Sequence, residues 1–172
     1  MARRYVGIVS LAERLHRRAL DLLAAELTQR RISDLSATQA MILLQMGSEE
    51  MTVSELTLRG CYLGSNVSYN LKKLTTSGYV VQVRSKHDRR IVKVSASRKG
   101  LQLLADLDQF YAALDEEMVK SSLNLTLLNQ CEAGLSRIDL FSLNRLSGST
   151  LTGRSSAATT TPSLVDPMTK VA

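Results

Sequence analysis

Hydrophobic positions near the start of the chain recur at helical spacing: Tyr5, Ile8, Val9, Ala12, Leu15, Ala19, Leu22, Leu23 and Leu27. This stripe predicts one amphipathic helix from about Arg4 to Arg31, with Arg14, Arg17, Arg18 and Asp21 on its other side. At 1.5 Å per residue it is about 40 Å long, more than a small core needs. A second helix follows the capping box Ser36-x-x-Gln39 and ends at Gly47. A third follows the capping box Thr52-x-x-Glu55 and turns Val53 and Leu56 inward. A fourth starts at Gly64 or Ser65 and stops at Gly78, with Val67, Leu71 and Leu74 on one face.

The period then changes. Tyr79–Arg84 and Ile91–Ala96 are β-branched runs around the charged tip Ser85-Lys86-His87-Asp88-Arg89-Arg90, which predicts a hairpin with a long tip. With Ser97 as its cap, a fifth helix runs to about Lys120, striped by Leu101, Leu104, Leu107, Tyr111, Leu114 and Met118. Thr126 is expected to cap a sixth, carrying Leu128, Cys131, Leu135, Ile138, Phe141 and Leu146. From Ser147 onward eleven residues are Ser or Thr and few are apolar, so residues 147–172 are expected to form a disordered tail. Both prolines, Pro162 and Pro167, fall in that tail, which leaves the body free to be helical. The expected fold is mainly α with a small β wing. It divides into an N-terminal helix (1–34), a lobe of short helices and hairpin (35–100), two C-terminal helices (101–146) and the tail (147–172).

Composition narrows the class. No apolar run approaches the ~18 residues of a transmembrane helix. The apolar stretch near the start is broken by Glu13 and Arg14, unlike a secretory signal. Two cysteines, Cys61 and Cys131, make no disulfide framework, so a soluble cytoplasmic protein is expected. The net charge of +6 is unevenly placed. Residues 1–31 carry +4 and residues 32–58 carry −4. Residues 59–93 hold Arg59, Lys72, Lys73, Arg84, Lys86, Arg89, Arg90 and Lys93 against Asp88 alone, for +7, and the remainder is near neutral. A focused basic block raises the potential that a polyanion such as DNA would feel.

Two short helices with a tight link, followed by a two-stranded ribbon, make a winged helix-turn-helix. Its second helix would lie in the major groove, with Val67, Leu71 and Leu74 packed on the lobe. Ser65, Asn66, Ser68 and Tyr69 then carry groups able to exchange hydrogen bonds with base edges. Lys72 and Lys73 suit phosphate contacts, and Gly64 lets a backbone amide approach a phosphate closely. At the tip, Arg89 and Arg90 repel each other and Lys86, a repulsion that a polyanion relieves. An arginine there can enter a narrow minor groove. Asp88 is assigned to fixing an arginine or the turn, and Arg84 and Lys86 complete the basic wing.

The stretch from Thr52 to Gly100 resembles the DNA-binding lobe of MarR-family transcriptional regulators. Leu35, Ser36 and Gln39 match the entry of the helix before the lobe. Leu74, Gly78, Tyr79 and Val80 match the end of the recognition helix. Asp88, Arg89, Arg90, Val92, Val94 and Gly100 match the wing signature, and GCYLGSNVSYNLKKL is similar to the LdtR-like branch. Ala96 and Ser97 stand in place of the usual Leu-Thr, Arg98 in place of an acidic residue, and Tyr69 where many members are basic. The resemblance implies a homodimer interlocked through the first, fifth and sixth helices. The three long apolar stripes around a small lobe point the same way. It also implies a transcription factor, most often a repressor, that reads a pseudo-palindromic operator.

The resemblance further implies a crevice for a small aromatic or phenolic effector, with Leu27, Thr38 and Tyr62 as its lining. Some relatives respond to cysteine oxidation instead. Cys61, near Arg59, is the redox candidate, although buried inert thiols are the expectation for both cysteines. Enzymatic readings fare poorly: His16 and His87 have no partners at metal-ligand spacing, and no Gly-x-Ser-x-Gly or phosphate loop occurs. No cofactor, metal or catalytic residue is expected. The alternatives are a cysteine-oxidation-sensing regulator, a winged-helix protein-interaction module, and a thiol peroxidase centred on Cys61.

Overall fold

A computed structural model of the chain describes residues 3–60, 64–84, 91–121 and 123–152. The elements run α1 (Arg4–Gln29), α2 (Ala37–Met46), β1 (Met51–Thr52), α3 (Val53–Gly60), α4 (Gly64–Thr76), β2 (Val80–Arg84), β3 (Val92–Ala96), α5 (Arg98–Lys120) and α6 (Leu125–Thr152). They fall into two compact units, Met1–Glu116 and Glu117–Ala172.

Local chemistry sets the boundaries in the first unit. Ser36 Oγ accepts the Gln39 amide while Gln39 Oε1 accepts the Ser36 amide, which closes the predicted box at the start of α2. Thr52 and Glu55 do the same for α3, with Glu55 Oε2 2.6 Å from the Thr52 amide. At the other end, α4 stops in a Schellman turn. The Tyr79 amide reaches Leu74 O, the Gly78 amide reaches Thr75 O, and Gly78 takes a φ of +77° that only glycine adopts without cost. α1 ends in the same way: the Ile32 amide bonds Leu27 O and the Arg31 amide bonds Thr28 O. There, however, Arg31 occupies the left-handed position, with φ of +59°.

The sheet is three-stranded rather than the expected ribbon, in the order β1-β3-β2 and antiparallel throughout. Gln82 pairs with Val94 and Arg84 with Val92, while Met51 and Thr52 pair with Val94 and Lys93. β1 was not foreseen because two residues are too short to show a period. Val94, on the central strand, is fully buried. Around it lie Leu43, Met46, Leu56, Val67, Leu71 and Leu74, all nearly or completely inaccessible to solvent.

The long helices depart from their predicted stripes. On α1 only Leu23, Glu26 and Leu27 are buried, whereas Tyr5, Val9, Leu15 and Leu22 are exposed. On α5 it is Leu103, not Leu101, that joins Leu104 and Leu107 in the core; Leu101 is exposed. Gly100, Leu103, Leu104 and Leu107 form the buried side, and Leu101 lies off it.

In the second unit none of the described residues is buried. Leu135, Leu140, Phe141, Leu143 and Leu146 of α6 are all exposed. Asn124, not Thr126, caps this helix, its Oδ1 accepting the Leu127 amide at 2.9 Å. α6 continues past Ser147 to Thr152, so the predicted start of the tail lies inside a helix. Residues 153–172 lie outside the described residues.

Candidate nucleic-acid interface

Helix α4, the candidate recognition helix, is held by its inner face. Val67 and Leu74 are fully buried and Leu71 nearly so, at the spacing that keeps one side of a helix against a core. That leaves Asn66, Ser68, Tyr69, Lys72 and Lys73 exposed on the outer side, as the sequence pattern required. Asn70 is half-buried, and its side-chain amide donates to Asn66 O at 2.8 Å. The Lys73 ammonium stands 5.9 Å from the centroid of the Tyr69 ring, a cation–π contact that orients both side chains. Gly64 and Ser65 lie in the first turn of α4. Amides of a first turn have no partner within their own helix and suit an anion.

A cleft of about 840 Å³ opens beside this face. Its walls include Thr52 and Ser54 at the start of α3, Ser68, Lys72, Thr75 and Thr76 on α4, and Gln82 and Val92 on the wing strands. The Gln82 amide donates to Thr75 Oγ1 at 2.8 Å and so ties the wing to the recognition helix. Ser54, Thr75, Thr76 and Gln82 were missed in the sequence. The signal for Thr75 and Thr76 was there, since they stand three and four residues beyond Lys72 on the same face.

The basic block is only partly free. Lys93 donates to Glu50 Oε1 at 2.7 Å, which neutralises it and raises its pKa, first through that hydrogen bond. Lys72, Lys73 and Arg84 are exposed. Lys86, Asp88, Arg89 and Arg90 at the wing tip lie outside the described residues, as do Cys61 and Tyr62.

Of the residues expected to line an effector crevice, Tyr62 lies outside the described residues. Leu27 is part of the core and Thr38 is exposed on α2, and neither lines either of the described clefts. The second cleft, of about 540 Å³, lies between Ile32, Tyr79 and the first turns of α5. Cys131, expected to be buried, is exposed on α6. Among the described residues no helix is long and apolar enough to cross a membrane.

Residues 35–100 match the family described as the winged helix DNA-binding domain. Residues 35–100 are therefore similar to a winged-helix DNA-binding domain, and the fold of the chain is like that of the MarR structures it superposes on. Over 105 residues it is 43% identical to the exopolysaccharide II synthesis transcriptional activator ExpG of Rhizobium meliloti (strain 1021), which covers 61% of this chain. The match spans 54% of that relative, about half its length. The transcriptional regulator BldR from Sulfolobus solfataricus superposes with a TM-score of 0.64 at 25% identity, covering 80% of this chain and 99% of BldR. A mutant MarR from E. coli, solved with operator DNA, gives a TM-score of 0.63 at 20% identity, covering 78% of this chain and 95% of that one.

Proposed function

We propose that this chain is a homodimeric transcriptional regulator that reads a pseudo-palindromic site in double-stranded DNA. The carrying observation is the division of α4: one face is locked into the core, and the other presents Asn66, Ser68, Tyr69, Lys72 and Lys73. Asn66, Ser68 and Tyr69 supply hydrogen-bonding groups for base edges. Lys72, Lys73, Arg84 and the wing-tip residues Lys86, Arg89 and Arg90 neutralise phosphates, with Asp88 ordering the tip. Gly64 and Ser65 bring the helix start to the backbone.

Dimerisation is supported by the exposed leucines of α1 and α6, a larger apolar surface than a soluble monomer ordinarily shows. Two recognition helices would then meet successive major grooves about 34–36 Å apart. The ExpG relative is named an activator, which favours activation over repression as the sign of regulation. A small aromatic or phenolic effector would act by binding one lobe spacing better than another.

Selection of bound duplexes from random DNA, followed by binding across a salt series, tests the reading. A palindromic motif should emerge. With about 6–10 phosphate contacts, affinity should fall by ~10³–10⁵ between 50 and 200 mM salt. Failure to select any motif, with saturable binding to an acidic protein instead, would establish the interaction-module alternative.

A further inference from the structure

Among the described residues, the hydrogen bonds between the α1–α2 linker and the exit of α4 run through one residue. Asp34 Oδ1 accepts the Tyr79 hydroxyl at 2.9 Å, and Asp34 Oδ2 accepts the Lys99 ammonium at 2.7 Å. The backbone carbonyl of Asp34 accepts Ser77 Oγ at 3.1 Å. Lys99 Nζ also donates to Ser77 O at 3.0 Å and stands 4.0 Å from the centroid of the Tyr79 ring. Three pieces of chain thus converge: the linker after α1, the Ser77-Gly78-Tyr79 exit of α4, and the first turn of α5. None of these groups belongs to the outer face of α4.

The same exit is held from behind. Ser97 Oγ donates to Gly78 O at 2.6 Å, and the Ser97 amide donates to Tyr79 O at 2.9 Å. The base of the wing and α5 therefore fix one side of the α4 exit. Asp34 supplies the side that faces α1. In a dimer built on α1, the direction of each recognition helix relative to the two-fold axis would be set by the shared core through α2 and by this polar joint.

We infer that Asp34 is a positioning residue for DNA recognition: through Tyr79 and Lys99 it fixes α4 relative to α1, and so sets the half-site spacing that the dimer accepts. This rests on the dimeric reading above. Moving one half-site by a base pair displaces it by about 3.4 Å along the duplex axis and rotates it by about 35°. A lobe held by four hydrogen bonds and a cation–π contact resists following that displacement, whereas a released lobe can follow it.

The test uses the half-site that the wild-type chain selects from random DNA, placed in duplexes whose half-site separation is varied by one and two base pairs. Anisotropy titrations should show the wild type losing about tenfold in affinity per base pair of misplacement, comparable to a mismatch. Asp34→Asn keeps the shape and the acceptor for Tyr79 but removes the charge that holds Lys99. It and Lys99→Met should lose about threefold or less per base pair, a flattening that a purely structural role would not produce. Tyr79→Phe should fall between, and Lys99→Arg should restore the wild-type profile. Retention of the wild-type profile by both Asp34→Asn and Lys99→Met overturns the inference. So does a uniform loss at every spacing that tracks a lowered Tm. A palindromic preference that survives with no spacing preference in the wild type also overturns it while leaving DNA recognition intact. Absence of any palindrome overturns both readings.

Discussion

Gly100 lies so close to Tyr79 that a Cβ built on it would stand 2.2 Å from the Tyr79 carbonyl oxygen. The obstacle is backbone, and that carbonyl is already held by the Ser97 amide, so it cannot swing aside cheaply. Gly100→Ala should therefore destabilise the chain by about 2–3 kcal/mol, as overpacking of a close contact does. Thermal or urea unfolding checks this, and an unchanged midpoint would show that α5 can shift away from the wing base.

Arg31 offers the opposite experiment. It closes the Schellman turn of α1 with a positive φ, the position glycine fills at the end of α4. Arg31→Gly should relieve the strain and raise stability by about 0.5–1 kcal/mol, less whatever glycine adds to the entropy of the unfolded chain. Chemical denaturation with the m-value held constant measures it.

On the recognition helix the two kinds of side chain should separate. Lys72→Ala should weaken binding to every duplex and reduce the salt slope by about 1, whereas Asn66→Ala should change sequence preference and leave non-specific binding nearly intact. Parallel titrations on the selected and a scrambled duplex distinguish the roles, and identical behaviour of the two variants would refute the assignment.

Leu15 and Leu22 are exposed on α1 although both belong to its apolar stripe. Replacing both by glutamate should shift the chain from dimer to monomer in sedimentation equilibrium and lower affinity for a two-half-site duplex. A monomeric wild type would remove the basis of this prediction.

The Asp34–Lys99 pair also carries a pH dependence. The Lys99 ammonium, through its hydrogen bond, and then Tyr79 hold the Asp34 carboxyl below its ordinary 3.8, against a partial opposing effect of burial. The same bond to Asp34 lifts Lys99 above 10.5. The carboxylate's contribution is complete above pH ~4 and is lost as pH falls through its lowered value. The ammonium's is complete below pH ~10 and is lost as pH rises through its raised value. Both groups are half exposed, so the pair is worth at most about 1 kcal/mol. The stability gap between wild type and Asp34→Asn should be flat from pH 5 to 9 and shrink below pH 4, which Tm measured across pH would reveal.

Local signals were the readable ones. Ser36 and Thr52 each stand three residues before a Gln or Glu that completes a capping box, and Gly78 marks the end of α4 without reference to the rest of the fold. The exposed face of α4 was legible for the same reason, because Val67, Leu71 and Leu74 fix which side points out. What escaped depends on distant chain. β1 exists only because Val94 and Lys93 lie beside Met51 and Thr52. Leu103 displaces Leu101 because the wing base decides which side of α5 is inward. Asn124 and Thr126 are both competent caps by type, and only the geometry chose between them. The periodic stripe of α1 was read correctly as amphipathic, but periodicity does not say whether the same chain covers it.

That last point gives α1 a mechanical character. It is buried only around Leu23 to Leu27, near its C-terminal end, while the preceding turns extend away from that root. From Arg4 to Leu23 the unrooted length is about 28 Å at 1.5 Å per residue. A tilt of about 5° at the root would carry the far end about 2.5 Å, nearly half the rise of a helical turn. In the dimer proposed above, the helix would act as a lever, converting small rearrangements around Asp34 into displacements large enough for the second chain to register.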